Sequence, residues 1–442
     1  MPKKFMIQVY GCQMNVYDGD RLRGAMTSLG WEETDDAASA DFVLFVTCSI
    51  RDKAEQKVAS ELGRFRPLWD KNHAPRAALL GCMAQRTGRE FAAKFPWIRV
   101  VAGPRHLGAV PAALEASIFD GHTHFHLDED PNALDDLACA PVARNSPHKA
   151  YVTIAHGCDQ FCSYCIVPYV RGRFGSRAPD EILREAESLI SGGVREISLL
   201  GQNVNTYGKD FVGHNAGYSF ARLLRDVSGI PGIERLRFTT SHPIDFTDDI
   251  PETMTDSRVI CPSVNLPVQS GSDKVLREMN RKYTRAYYLE VVRRIREALP
   301  ELGLTTDLIV GFPGETEAEF EESVSLLESV RFDLVHSAAY SPREGTPAAA
   351  RADRVQGRER AHRLLRVNEI QAAIAREINE RLIGSVVEII LDEPAPKGEG
   401  LLQGRTRTDK VVLVSADSGE IGKTRWVKIT GAGTWRLDGE LI

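Results

Sequence analysis

The sequence predicts an α/β protein in three parts: an N-terminal parallel sheet, a second α/β region of a length suited to a complete or partial barrel, and a small closed β-barrel at the C-terminus. Three observations carry that expectation. Short apolar runs at 5–9, 42–46 and 77–80 alternate with helical stretches, a pace that requires right-handed crossovers and parallel strands. The same alternation resumes at Ala150 and continues to Ala339. Beyond Gly384 the period shortens to strands separated by Pro and Gly. The expected boundaries are 1–120, a linker at 121–147, 148–375 and 376–442.

Composition bounds the chemistry. With 43% hydrophobic and 26% charged residues, the chain reads as an ordinary globular protein. No apolar run approaches the roughly 18 residues of a membrane span. The N-terminus enters a strand-like run with no signal-peptide core, so a cytoplasmic location without membrane contact is expected. In that compartment eight cysteines argue for metal or catalysis rather than disulfides. A net charge of −6 makes no global case for nucleic acid, so any such case must be local.

In the first part, Leu22, Ala25, Met26 and Leu29 have helical spacing closed by Gly30, and further helices are expected at 51–65 and 87–94. Cys12, Cys48 and Cys82 each come just after one of the strands. In an open parallel sheet the carboxyl ends of the strands share one edge, where ligands bind. The three cysteines are therefore expected to meet there as three ligands without a fourth. Singly, each would read as a small buried hydrophobe. The acidic stretch 127–136 reads as linker, Cys139 as a bystander within it, and His122, His124 and His126 as a solvated strand face.

The second part opens on a loop, 156–173, that carries Cys158, Cys162 and Cys165. Neighbours this close would make strained disulfides, whereas three thiolates can share one metal centre. A closed zinc site takes four ligands, as do simple ferredoxin clusters, so three from one loop imply a cluster with one iron open. A zinc knuckle is the bland alternative. Later strands are expected at 196–200, 235–239, 263–268, 306–310 and 334–339, with amphipathic helices at 181–190 and 286–299. Thr316 and Glu319 make a capping box ahead of another helix. The segments past the strand ends, 201–205, 240–243, 269–272 and 311–315, are polar or Gly-rich, and in barrel enzymes this face carries the active site.

Between Arg351 and Arg366 six arginines face two acidic residues, the best phosphate-facing stretch in the chain. Beyond it, strands are expected at 386–391, 401–404, 411–414, 425–429 and 434–437, a small barrel of the kind often used on RNA.

The Cys-x-x-x-Cys-x-x-Cys loop with Tyr164 before its last cysteine resembles the radical S-adenosylmethionine (SAM) superfamily. Together with Tyr-Gly-Cys12-Gln-Met-Asn15, the 199–205 run Leu-Leu-Gly-Gln-Asn-Val-Asn, Phe-Thr-Thr-Ser-His-Pro at 238–243 and Tyr-Ser-Pro-Arg-Glu-Gly-Thr at 340–346, the whole chain resembles a radical-SAM methylthiotransferase. It departs from that family's usual pattern at Asn265, where His is common, and at Asp18-Gly19-Asp20, where Asp-Ser-Glu is common.

The resemblance implies a Rossmann-like methylthiotransferase domain, a partial TIM-type (β/α)6 radical-SAM barrel and a TRAM domain. It implies two 4Fe-4S clusters, one on Cys158, Cys162 and Cys165 that binds SAM, and one on Cys12, Cys48 and Cys82 that carries sulfur. Tyr164, Gly201, Gln202, Asn203, Gly311 and Glu315 are the SAM contacts it suggests. The implied reaction is methylthiolation at carbon 2 of isopentenylated adenosine in a tRNA anticodon loop. Carbon 2 carries an unactivated C–H bond, which needs radical rather than acid–base chemistry. A flavodoxin or ferredoxin as reductant and a monomeric state complete the expectation.

Overall fold

The computed structural model describes residues 2–49, 52–127, 143–144 and 146–442. The acidic part of the expected linker and Cys139 lie outside the described residues. The chain forms two compact units, Met1–Ser146 with His156–Asp159 and Cys165–Gly175, and Pro147–Ala155 with Gln160–Tyr164 and Ser176–Ile442.

The first unit is built on a sheet whose strands, in spatial order, are Glu32–Glu33, Lys4–Val9, Phe42–Thr47, Arg76–Gly81, Ile98–Ala102 and His124–His126, all parallel. The central strand Phe42–Thr47 is buried at every position, as a sheet covered on both faces requires. Its alternation sorts the core. Phe42, Leu44 and Val46 pack with Leu22 and Met26 of the helix Gln13–Ser28 and Leu114 of the helix Val110–Asp120. Val43 and Phe45 pack on the other side with Val58, Leu62, Met83 and Trp97. The sheet is thus doubly wound, and strand order 2-1-3-4-5-6 makes it flavodoxin-like rather than the 3-2-1-4-5-6 Rossmann arrangement. The chain changes winding direction between the strands Lys4–Val9 and Phe42–Thr47, beside Cys12 and Cys48. Among the histidines, His124 and His126 lie on the last strand, and His124 pairs with Asp120 at 3.1 Å.

The second unit begins with six parallel strands in two sets of three. One is ordered Arg235–Phe238, Glu196–Leu200, Lys149–Thr153, and the other Ser263–Asn265, Gly303–Val310, Leu334–Ala339. A single parallel bridge, Leu236 to Ile260, joins the sets, giving the expected partial barrel of six strands. The capping box is present: Thr316 Oγ1 accepts from the Glu319 N–H at 3.4 Å, and Glu319 Oε2 accepts from the Thr316 N–H at 2.7 Å. The helix Gly357–Glu380 runs across residue 375, where the sequence suggested a boundary.

The terminal five strands close into a barrel around Ile389, Leu391, Leu402, Val412, Val427, Ile429 and Leu437. Its last strand is Leu437–Leu441 rather than 434–437, because the Gly433 N–H closes a turn onto the Arg436 carbonyl at 2.8 Å and leaves Trp435 exposed. This barrel is tied to the strands before it by buried charge. Arg235, with 0% exposure, donates to Glu388 Oε1 at 2.6 Å and to the Arg405 carbonyl at 2.7 Å. Arg237 donates to the Thr406 carbonyl at 2.6 Å and pairs with Glu196 at 3.1 Å. No described helix is long and apolar enough to cross a membrane.

Candidate functional site

The strands Lys4–Val9, Phe42–Thr47 and Arg76–Gly81 are neighbours and run parallel, so the segments leaving their carboxyl ends lie at one edge of the sheet. Cys12 is the N-cap of the helix Gln13–Ser28, Cys48 comes directly after Thr47, and Cys82 opens the helix Cys82–Lys94. That helix starts five residues before the sequence suggested, because Cys-Met-Ala-Gln carries no capping signal. Gly11 explains how the first two cysteines meet. It has φ +120°, and a Cβ there would lie 2.3 Å from Cys48 Cβ and 3.1 Å from its sulfur, so only glycine lets the backbone before Cys12 rest on Cys48.

The electrostatics of this triad are uneven. A hydrogen bond from the Cys48 thiol, helped by Arg171 and by the Asn15 and Met14 backbone and opposed by burial, lowers the Cys12 thiol to about 5. Burial pushes the Cys82 thiol up, against the pull of Arg171. Arg171 ends the short helix Val167–Arg171 that leaves the cysteine loop. Its Nε donates to Cys82 Sγ at 3.2 Å, and its Nη2 donates to Asn15 Oδ1 and Asp18 Oδ2, each at 3.2 Å. Burial disfavours the charge on this guanidinium, but Cys82, Asp18 and Cys12 outweigh it and hold the group above its ordinary pKa.

The cysteine loop is shaped by Gly157, whose φ is +70° and whose Cβ would fall 1.9 Å from the Arg173 carbonyl oxygen. The Cys158 N–H donates to the Gly172 carbonyl at 3.2 Å, bringing the two ends of the loop together. Cys158 and Cys165 belong to the first unit and Cys162 to the second. The segment Gln160–Tyr164 is strapped into the second unit by backbone and side chain. The Ser163 N–H donates to the Met279 carbonyl at 3.0 Å, Asn280 Nδ2 to the Phe161 carbonyl at 2.8 Å, and Gln160 Nε2 to Asp245 Oδ2 at 3.0 Å. Tyr164 packs against Val275, Met279, Phe312 and Tyr340.

Arg281 stands to Cys162 as Arg171 stands to Cys82. It is buried, donates to Cys162 Sγ at 3.5 Å, to the Pro267 carbonyl at 2.8 Å and to the Tyr283 hydroxyl at 2.9 Å, and has no carboxylate partner among the described residues. A buried cation without a carboxylate calls for another anion. The Cys162 sulfur is the acceptor within its reach that could carry such a charge as a metal ligand. Around it, Asp245 accepts from Asn203 Nδ2 at 2.7 Å, from Thr206 Oγ1 at 3.0 Å and from Lys209 Nζ at 2.5 Å.

Of the other suggested contacts, Asn203 is therefore bound to Asp245, and Gly201 and Gln202 precede it on the same strand end. Glu315 is spoken for on one side: its Oε2 accepts from the Gly311 N–H at 2.6 Å and from Arg363 Nη1 at 2.8 Å. The buried oxygens Gln202 Oε1, Asn203 Oδ1 and Glu315 Oε1 have no hydrogen-bond partner among the described residues, which suits a polar ligand at this end of the strands. Arg171, Arg281 and Asp245 were missed by sequence reasoning. Arg171 lay within the loop that drew attention, but nothing in the sequence marks which sulfur an arginine reaches.

The basic stretch is a correction. Arg351 pairs with Glu278 and Asp353, Arg363 with Glu315, Glu317 and Glu359, and Arg366 with Glu321. Arg360 donates to the Tyr340 carbonyl. Three of the six arginines expected to face phosphate are thus paired with carboxylates, some within the stretch and others, Glu278, Glu315, Glu317 and Glu321, distant in sequence. Within the 18–20 run it is Asp18, the position that keeps the family's usual Asp, that bears on a cysteine through Arg171.

Among the described residues no three His, Cys, Asp or Glu side chains converge tightly enough to hold a single metal ion. Thiolates that anchor a four-iron cluster each take a separate iron, so they need not converge on one point. Cys12, Cys48 and Cys82, on neighbouring strand ends with a guanidinium fixed on Cys82, fit such a group, and a guanidinium is likewise fixed on Cys162 of the cysteine loop.

A doubly wound domain, a six-stranded partial barrel opened by a three-cysteine loop, and a closed five-stranded barrel define a radical-SAM protein with a terminal nucleic-acid-binding type of domain. Three family models match in that order: Uncharacterized protein family UPF0004 over residues 4–103, Radical SAM superfamily over 152–327 and TRAM domain over 380–442. Proteins named tRNA-2-methylthio-N(6)-dimethylallyladenosine synthase are similar over the full length. That of Acetivibrio thermocellus is 42% identical, covering 100% of this chain and 91% of the relative. That of Aquifex aeolicus is 41% identical over 100% and 99%. The chain belongs to the tRNA-2-methylthio-N(6)-dimethylallyladenosine synthase family. Among solved structures, the radical SAM methyltransferase TsrM from Kitasatospora setae shares the fold with a TM-score of 0.55 at 16% identity, covering 91% of this chain and 81% of that one.

Proposed function

We propose that this chain is a radical-SAM methylthiotransferase that places a methylthio group on carbon 2 of isopentenylated adenosine beside the anticodon of tRNA. The observation that carries the reading is the gathering of Cys12, Cys48 and Cys82 on three adjacent strand ends at the switch point of the sheet, in a chain that separately carries the radical-SAM loop. In this reading Cys158, Cys162 and Cys165 hold the cluster that binds SAM, and Cys12, Cys48 and Cys82 hold a second 4Fe-4S cluster. When bound, these groups supply reductive cleavage of SAM for hydrogen abstraction and the sulfur that replaces the hydrogen.

The protein's own part is positioning. Arg281 and Arg171 each offset anionic sulfur at one site. The unpartnered oxygens of Gln202, Asn203 and Glu315 accept hydrogen bonds from SAM, with Tyr164, Gly201 and Gly311 shaping its seat. Asp245 holds Gln160 of the cysteine loop and Asn203 of the next strand end in one network. The adenine must leave its stack to reach this end of the barrel, which costs a few kcal/mol and least in a single-stranded loop. The terminal barrel binds the tRNA, a flavodoxin or ferredoxin supplies electrons, and the enzyme works as a cytoplasmic monomer. Domain limits of 1–120, 148–375 and 376–442 go with this reading.

The test is a full-length variant with Cys12, Cys48 and Cys82 changed to alanine. It is expected to hold about four irons after anaerobic reconstitution, half of about eight. It should cleave SAM to 5′-deoxyadenosine and form no methylthio nucleoside in isopentenylated tRNA. Methylthio product from this variant would refute the division of labour.

A further inference from the structure

Arg171 is on the wrong side of the chain to be a local accessory of Cys82. The two are 89 residues apart, and Arg171 is supplied by the segment that has just left Cys165. It spends its donors on three groups: the Cys82 sulfur, Asn15 in the first turn of the helix capped by Cys12, and Asp18 one turn further. Cys82 packs with Ile166 and Val170 of the same segment, so the guanidinium is delivered into a closed apolar setting. Arg171 and Asp18 are both almost fully buried, with side-chain exposures of 7% and 5%. A hydrogen bond and a fixed positive charge on a ligating sulfur draw electron density from it, and charge and hydrogen bonding at sulfur are what set cluster potentials.

We infer that Arg171 is a positioning residue that sets the reduction potential of the centre held by Cys12, Cys48 and Cys82, with Asp18 as the counter-charge that trims its effect. This rests on the reading that those cysteines hold a cluster. In low-dielectric surroundings the pair acts as two opposed levers. The cation eases reduction of the centre, and the carboxylate behind it opposes reduction. A purely structural ion pair would move stability and leave no signed electrochemical trace.

The experiment uses the full chain with Cys158, Cys162 and Cys165 changed to alanine, so that a single centre remains, and tracks its reduction by spectroelectrochemistry and electron paramagnetic resonance. About four irons per chain are expected in this background. Iron near zero would refute the assignment of the centre itself, independently of Arg171. Given iron, R171Q should shift the midpoint to a more negative potential and D18N to a more positive one, with R171K closer to the parent than R171Q. Equal potentials in all four proteins, or shifts of the same sign for R171Q and D18N, would overturn the inference. Should R171Q fail to retain iron, the positive shift expected of D18N still decides it.

Discussion

In the proposed reading the two cysteine triads solve the same problem in opposite ways. Cys158, Cys162 and Cys165 come within eight residues of one loop, whose shape is fixed by Gly157 and by straps to distant elements. Cys12, Cys48 and Cys82 come from three strands, and only the sheet brings them together. Their arginines differ in the same sense. Arg171 is compensated by Asp18 before any ligand arrives, whereas Arg281 has no carboxylate among the described residues and depends on sulfur for its counter-charge. The distributed site is therefore electrostatically complete as a piece of protein, and the local site is complete only with its ligand.

The largest consequence is for stability without clusters. R171M would remove the buried Arg171–Asp18 ion pair and one donor to Asn15 Oδ1. Breaking a buried pair in this way costs about 3–5 kcal/mol. Because two units need not unfold together, the measurement is local: hydrogen exchange of the helix Gln13–Ser28 in cluster-free protein, which should speed up in R171M. Unchanged protection there would mean that Asp18 is carried by other partners and that Arg171 does not complete the distributed site.

A smaller effect should appear with pH beside the second site. Burial first, then the Arg281 charge, push the His242 imidazole down to about 3, against the pull of Asp245. Its Nδ1 accepts from the Ile244 N–H at 3.4 Å, as a neutral ring must. An unfolded histidine titrates near 6.5. As pH falls below that value the unfolded chain takes up a proton that the folded chain refuses, so stability drops between pH 6.5 and about 3. By pH 5 the loss should reach up to about 2 kcal/mol. H242Q should flatten this slope in hydrogen exchange of the neighbouring strands between pH 7 and 5. A slope unchanged by H242Q would assign the effect to other groups.

The same contrast explains what the sequence made legible. Spacing alone exposed the local triad, and the strand period exposed the distributed one, because in a parallel sheet equivalent positions in the chain become neighbours in space. The barrel and the terminal strands were legible for the same reason. What stayed hidden were pairings between residues far apart in the chain. Arg351, Arg363 and Arg366 read as a free basic face because Glu278, Glu315 and Glu321 stand outside the stretch. Arg235 read as the start of a strand, yet it is buried against Glu388 and the Arg405 carbonyl of the terminal barrel. Periodicity reports which face is apolar and is silent on which charge meets which.

The smallest expected effect is the most diagnostic of the comparison. In cluster-free protein R281M should change local stability by no more than about 1 kcal/mol, because it removes a buried cation that lacks a carboxylate and so removes a desolvation cost. Nor does it orphan the groups Arg281 touches. The Pro267 carbonyl still accepts from the Tyr283 hydroxyl at 3.1 Å, and that hydroxyl also reaches the Val268 carbonyl at 2.9 Å. Methionine occupies a similar volume in the space between Tyr283 and Cys162. Reconstitution should then separate the two proteins, since only the parent gains the attraction between the guanidinium and anionic sulfur. Hydrogen exchange of the helix Asp273–Glu278 and of residues 279–283, read before and after reconstitution, should show a larger gain in protection for the parent than for R281M. A loss above about 2 kcal/mol in cluster-free R281M would mean that Arg281 is already compensated within the protein. The two triads would then be electrostatically alike, and the contrast between a site completed by the fold and one completed by its ligand would fall.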